Sequence, residues 1–232
     1  VRDTGWQQLE PGIELRRLLI ARPGSQRLAP VHMVRLEQQA VSFEVGYRPG
    51  EPRVFAGWCD DPGLVAAING GFFDADYRST ALVVHDGQAS GTSYQQQGGM
   101  FAVDVWGNVS LRYLPNLPYN PEEPLREAVQ GWPMLIAPGG TLAYTAADDS
   151  ELARRSVVAM DRAGRVLLLA FPGSDFSLPG LAAWLHASDL DLNAALNLDG
   201  GSSTALCVRN GELYERLDPF VPLPMVLRAY RR

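Results

Sequence analysis

The sequence predicts an α+β fold in one domain spanning 1–232, with mixed, largely antiparallel sheets and a few covering helices. Three observations predict it. Turn signals recur at short intervals between alternating apolar runs, helical periodicity is scarce, and composition does not shift along the 232 residues.

From the N-terminus, 13–20, 31–36 and 41–47 read as strands. Residues 60–67 read as a short helix feeding the apolar run 64–68. Next comes the turn HDGQ (85–88), then WGNV (106–109) between strands at 100–105 and 109–113. Asp-Gly and Asn-Gly favour tight hairpin turns because both central residues must take positive φ. The segment 114–124 carries four prolines and two asparagines and reads as a loop. RAGR (162–165) joins strands at 157–161 and 165–171, and RNGE (209–212) joins 204–208 to 212–214. The best helix lies within 177–190: Ser177 is a plausible N-cap, Pro179 sits in the first turn, and Leu178, Leu181, Ala182 and Leu185 recur at helical spacing.

Composition narrows the function classes. The chain is 46% hydrophobic and 20% charged, as globular proteins are. No apolar run approaches the roughly 20 residues of a membrane helix; VLLLAF (166–171) is strand-sized. The net charge of −6, without a basic block, argues against nucleic acid as partner. All 20 basic residues are arginine, so each stays charged and can fork onto a carboxylate or phosphate. Cys59 and Cys207 could bridge in an oxidising compartment or remain buried thiols. His32, His85 and His186 lie apart from one another and from both cysteines, so no zinc spacing is present. The start at Val1 suggests a trimmed or processed chain, which makes export an expectation.

Two segments share a design. VAAINGGFFD (65–74) is an apolar strand ending in Asn69 before Gly70 and Gly71. ALNLDGGSST (195–204) is an apolar strand ending in Asp199 before Gly200 and Gly201, with Ser202, Ser203 and Thr204 behind. Each delivers a polar side chain at a rigid strand end, and a glycine pair then allows close backbone approach and an inward-facing amide nest. Alone, either is a tight turn whose Asn or Asp caps its own backbone; two such ends favour a shared pocket. In ARRSVVAMD (153–161), Arg155 enters a strand beside Ser156, a fixed positive charge suited to phosphate. Taken alone, Arg155 reads as a surface arginine paired with Glu151 or Asp149. The serine run lacks a G-x-S-x-G elbow, and Gly-Gly-Ser-Ser lacks the lysine and spacing of a P-loop.

INGGFF (68–73), LVVHDGQ (82–88), GWPMLI (131–136), Arg155-Ser156 followed by DRAGRV (161–166), and NLDGGSS (197–203) occur in this order. Together they resemble the phosphodiester glycosidase family, which includes the animal uncovering enzyme and bacterial proteins associated with exopolysaccharide. The resemblance covers about 65–208, the family core. It implies a hydrolase that cleaves a sugar-1-phosphodiester, with Asn69, Arg155 and Asp199 as catalytic residues. Gly70, Gly71, Asp74, Ser156, Gly200, Gly201, Ser202, Ser203 and Thr204 would bind substrate. Arg155 and the glycine amides would hold phosphate, while Asp199 would hold sugar hydroxyls, support the ring cation or activate water. The implied partner is a phosphorylated glycan, small or polymeric, and the implied location is periplasmic or secreted. The alternative is a non-catalytic module of the cell envelope that binds phosphorylated glycans or exopolysaccharide. No cofactor is expected; calcium is the candidate metal, with Asp199 and Asp74 as oxygen donors. Two departures stand out: Ser156 replaces a common threonine and keeps its hydroxyl, and Trp132 stands where glycine is common and would reshape one pocket wall.

Overall fold

The structure, a computed structural model, describes residues 2–21, 27–96, 98–211 and 213–232, with the backbone alone at 213 and 214. Val1, and Glu212 at the turn of the last expected hairpin, lie outside the described residues.

Every strand pair among the described residues is antiparallel. The largest sheet has eight strands, in the order Gln7–Glu10, Ile13–Ala21, Leu28–Leu36, Val166–Phe176, Ala153–Asp161, Leu192–Asn197, Met134–Ala137 and Thr141–Leu142. A five-stranded sheet orders Gln88–Ser90, Val83–His85, Leu125–Gly131, Gly99–Asp104 and Val109–Tyr113. A second sheet of five orders Leu213–Leu217, Leu206–Asn210, Leu64–Asn69, Met225–Arg231 and Val41–Tyr47.

Residues from all three sheets share one core, among them Leu15, Val158 and Leu196 of the first, Phe101 and Val129 of the second, and Phe43, Ile68 and Leu227 of the third. Phe43 and Phe101 meet edge to face, 5.4 Å between centroids. The fold class is thus the expected one. Strand alternation explains the layering: Val158 faces the shared core, whereas Val157 and Ala159 face outward. That outer face is covered by the helix Leu178–Ala187 through Leu178, Leu181, Ala182 and Leu185. Ser177 caps the helix, its hydroxyl oxygen accepting from the Gly180 amide at 3.2 Å.

The expected helix at 60–67 is not formed. A five-residue helix, Phe55–Cys59, comes before it, and Leu64–Asn69 is a wholly buried strand. The run 64–68 is apolar at every position because this strand is central in its sheet and covered on both faces. Cys59 and Cys207 form a disulfide that fastens this helix to the strand Leu206–Asn210. At the far edge of the same sheet, Glu215 pairs with Arg17 and His32 of the large sheet. No described helix is long and apolar enough to cross a membrane.

Candidate active site

Asp199 lies two residues beyond the strand Leu192–Asn197. Val157 pairs with Asn197 in the ladder, and the Leu198 amide donates to the Ser156 carbonyl at 2.9 Å. Continuing that register sets Arg155 opposite Asp199. Alternation puts Arg155 on the face that carries Val157 and Ala195, away from the shared core, with Asp199 just past the end of the neighbouring strand.

No ion pair joins them among the described residues. Arg155, 9% exposed, donates through Nε to the Phe176 carbonyl at 3.1 Å and through Nη2 to the Glu151 carbonyl at 2.8 Å. The simpler reading of a surface arginine paired with a carboxylate does not hold: Arg155 is buried, and Glu151 offers its main chain. Burial lowers the guanidinium pKa from its ordinary value, opposed by the charges of Asp149 and Glu151. It stays cationic at neutral pH, because arginine starts so high. Its two carbonyl bonds fix the side chain, and among the described residues no carboxylate forms an ion pair with it.

Asp199 is half-buried, and burial raises its carboxyl pKa above the ordinary value, opposed by hydrogen bonds from Ser203 and the Gly200 amide. The Gly200 amide donates to Oδ1 at 2.8 Å. A carboxylate raised in this way suits proton transfer better than an exposed one.

Asn69, 1% exposed, spends its whole side chain inside the protein. Nδ2 donates to the Asp199 carbonyl at 2.6 Å, and Oδ1 accepts from the Ser156 hydroxyl at 2.6 Å and the Ala205 amide at 3.0 Å. The Asp199 amide in turn donates to the Gly70 carbonyl at 3.1 Å. The two strand-end turns are therefore one unit. Asn69 and Ser156 hold Asp199 in place, and both polar atoms of the Asn69 side chain are bonded within the protein.

The glycines also serve the protein. A Cβ at Gly70 would come within 2.5 Å of Met225, one at Gly71 within 2.4 Å of the Gln130 carbonyl, and one at Gly200 within 2.7 Å of the Arg154 carbonyl. Close packing of backbone on protein thus requires these three, where the sequence suggested approach to a ligand. The Gly70 amide donates to the Met225 carbonyl at 3.0 Å, and that of Gly200 is bound by Asp199. Of the four amides expected to hold phosphate, these two are engaged. Gly201 takes φ +57 with open space beside it.

The remaining expected residues divide. Ser203 is buried, and its hydroxyl acts to lower the Asp199 pKa. Ser202 is exposed, and its carbonyl accepts from the Phe220 amide at 2.7 Å. Thr204 is fully buried, and its carbonyl accepts from Arg154 Nη2 at 2.9 Å. Asp74 is exposed, and its Oδ1 caps a turn by accepting from the Asp76 and Arg78 amides, both at 2.9 Å. Among the described residues no three His, Cys, Asp or Glu side chains are grouped to hold a metal.

Several neighbours escaped the sequence reading. Asn197, 3% exposed, donates to the Trp132 carbonyl at 2.7 Å. It lies two residues before Asp199, so the strand period alone could have placed it on the same face. Tyr144 meets Trp132 edge to face at 5.6 Å and donates to Asp149 at 3.2 Å. Beyond Trp132 opens a cleft of about 530 Å³, lined by Phe72, Thr80, Tyr94, Gln95, Gln96 and Trp132.

Comparison with known proteins adds a family. The phosphodiester glycosidase family profile matches residues 62–222. No curated protein sequence matches the chain. Among solved structures, the catalytic domain of zebrafish N-acetylglucosamine-1-phosphodiester alpha-N-acetylglucosaminidase, auto-inhibited by its pro-peptide, superposes with a TM-score of 0.75 at 20% identity, over 97% of this chain and 86% of that one. A hypothetical protein from Synechocystis gives 0.68 at 17% identity, over 98% and 63%. A predicted exported protein of Burkholderia pseudomallei gives 0.57 at 12%, over 90% and 76%. At these identities the structures bear on the fold.

Proposed function

The chain belongs to the phosphodiester glycosidase family, and from that premise we propose that it hydrolyses a sugar-1-phosphodiester, releasing the sugar from a phosphorylated glycan or conjugate. The observation that carries this reading is the register pair Arg155 and Asp199: a buried guanidinium that forms no ion pair among the described residues, opposite in the ladder to a carboxylate with a raised pKa.

Cleavage of the bond between anomeric carbon and phosphate oxygen leaves positive charge on the sugar ring and sends the electron pair to the phosphate. A phosphate monoester is a weak base, so its departure calls for charge neutralisation more than protonation. Arg155 supplies that charge, already fixed in position by its two carbonyl bonds. Asp199 stabilises the ring cation and takes the proton of the attacking water, whose oxygen becomes the new anomeric hydroxyl. Ser203 and the Gly200 amide keep the carboxylate aimed, while Asn69 and Ser156 hold its backbone.

Export belongs to the same reading. The Cys59–Cys207 disulfide suits an oxidising compartment, and the likeness to a predicted exported protein supports it.

The test is incubation of the purified protein with sugar-1-phosphodiesters differing in sugar and anomer, in water enriched in ¹⁸O. The reading expects free sugar carrying the label at its anomeric oxygen and an unlabelled phosphate monoester. Label in the phosphate would move the cleavage to the P–O bond. Binding of phosphorylated glycan without any sugar release would mark a non-catalytic module.

A further inference from the structure

Strand order gives the site a direction. The strand Leu192–Asn197 lies between Ala153–Asp161, which carries Arg155, and Met134–Ala137, into which Trp132 leads. Arg155 and Trp132 therefore flank Asp199 on opposite sides. A substrate whose phosphate rests on Arg155 and whose anomeric carbon lies at Asp199 extends its sugar toward Trp132.

Trp132 is held there. Its carbonyl accepts from Asn197, and the preceding Gly131 packs so close that a Cβ would come within 2.2 Å of the Asn197 carbonyl. The cleft walls are also braced before any ligand arrives. Thr80 donates its amide to the Phe72 carbonyl at 3.0 Å, closing one wall. Fully buried Gln130 accepts from the Tyr94 amide at 2.8 Å and donates to the Ser93 hydroxyl at 2.8 Å, fixing the loop that presents Gln95 and Gln96.

The lining states its preference. Among the described residues three aromatic rings, two amides and one hydroxyl line the cleft, and no charged residue does. Flat aromatic surface receives the C–H faces of a pyranose, and neutral amides exchange hydrogen bonds with its hydroxyls. A second phosphate or a uronic acid would find no counter-charge.

We infer that this cleft seats the uncharged sugar unit of the substrate, with Trp132 as its stacking platform and as a specificity-determining residue of this chain. The inference rests on the sugar-phosphodiester reading for its direction, and on the cleft for its chemistry.

Saturation-transfer NMR on the full chain tests it, using the methyl α-glycosides of glucose, mannose and N-acetylglucosamine as probes. At least one probe contacts the wild-type protein; Trp132→Gly weakens that contact at least fivefold, and Trp132→Phe, which keeps a ring, retains most of it. Melting temperatures check that both variants fold. Absence of contact with every probe, or contact unchanged in Trp132→Gly, overturns the inference. Kinetics on a hydrolysed sugar-1-phosphodiester separate the two readings: KM rises tenfold or more in Trp132→Gly. Hydrolysis without sugar contact removes the subsite and leaves the hydrolase. Contact through Trp132 without hydrolysis of any phosphodiester removes the hydrolase and leaves the subsite.

Discussion

The side-chain amide of Asn69 donates to the main-chain carbonyl of Asp199 at 2.6 Å, joining turns 130 residues apart. The same side chain satisfies the Ser156 hydroxyl and the Ala205 amide. Asn69→Ala leaves three buried polar groups without their partner, which costs roughly 2–4 kcal/mol. It also frees the Asp199 turn to shift, and misplacement on the order of 1 Å costs about a hundredfold in turnover. Urea unfolding and kcat measured on the same preparation check both effects.

Asp199 itself trades stability for function. Its folded-state pKa is raised, chiefly by burial, so its stability contribution is fully present below the unfolded carboxylate value and is lost as pH rises through the folded value. Asp199→Asn removes that loss and keeps an acceptor for Gly200 and Ser203. The variant is expected to be as stable as wild type near pH 3 and more stable at pH 7, with hydrolysis abolished. Thermal melts across this range check the sign.

Glu215 behaves in the opposite way. Burial pushes its pKa up, but hydrogen bonds from His32 and Arg17 prevail and hold it below the ordinary value. Stability from this cluster is therefore present above the unfolded carboxylate value, about 4.3, and fades as pH falls through the folded one. Glu215→Gln is expected to cost about 1–3 kcal/mol at pH 7 and much less below pH 4. Denaturant midpoints at both pH values read this out, with hydrolysis of any sugar-1-phosphodiester unaffected at neutral pH.

Replacing Cys59 and Cys207 together by alanine removes a crosslink between residues 148 apart. The expected cost is about 2–5 kcal/mol, and each kcal/mol lowers the melting temperature by about 2–4 °C in a chain of this size. A wild-type melt with reductant should fall toward the variant's value, while the variant ignores reductant.

Local pattern carried much of this fold in the sequence. The hairpins around 106–109 and 162–165 and the capped helix after Ser177 depend on neighbours in the chain, and they were legible. Strand order was not. Met225–Arg231 enters its sheet between Leu64–Asn69 and Val41–Tyr47, a pairing that no local period encodes. The run 60–67 misled because its apolar half, 64–67, is buried on both faces and has no strand period to display. At the candidate site, Asn69, Arg155 and Asp199 stood out as polar residues at strand ends. That Asn69 is wholly consumed by the protein, and that Gly70, Gly71 and Gly200 are small for packing reasons, depends on contacts with Met225, Gln130 and Arg154. Trp132 could be noticed as a departure from its family, but its place beside Asn197 needed coordinates.

The central claim is that Arg155 and Asp199 act on one bond. The most direct measurement is kcat/KM of wild type, Arg155→Ala and Asp199→Asn on one sugar-1-phosphodiester, with circular dichroism to verify folding. Each variant is expected to lose about a hundredfold or more. Turnover close to wild type in either folded variant would contradict the account.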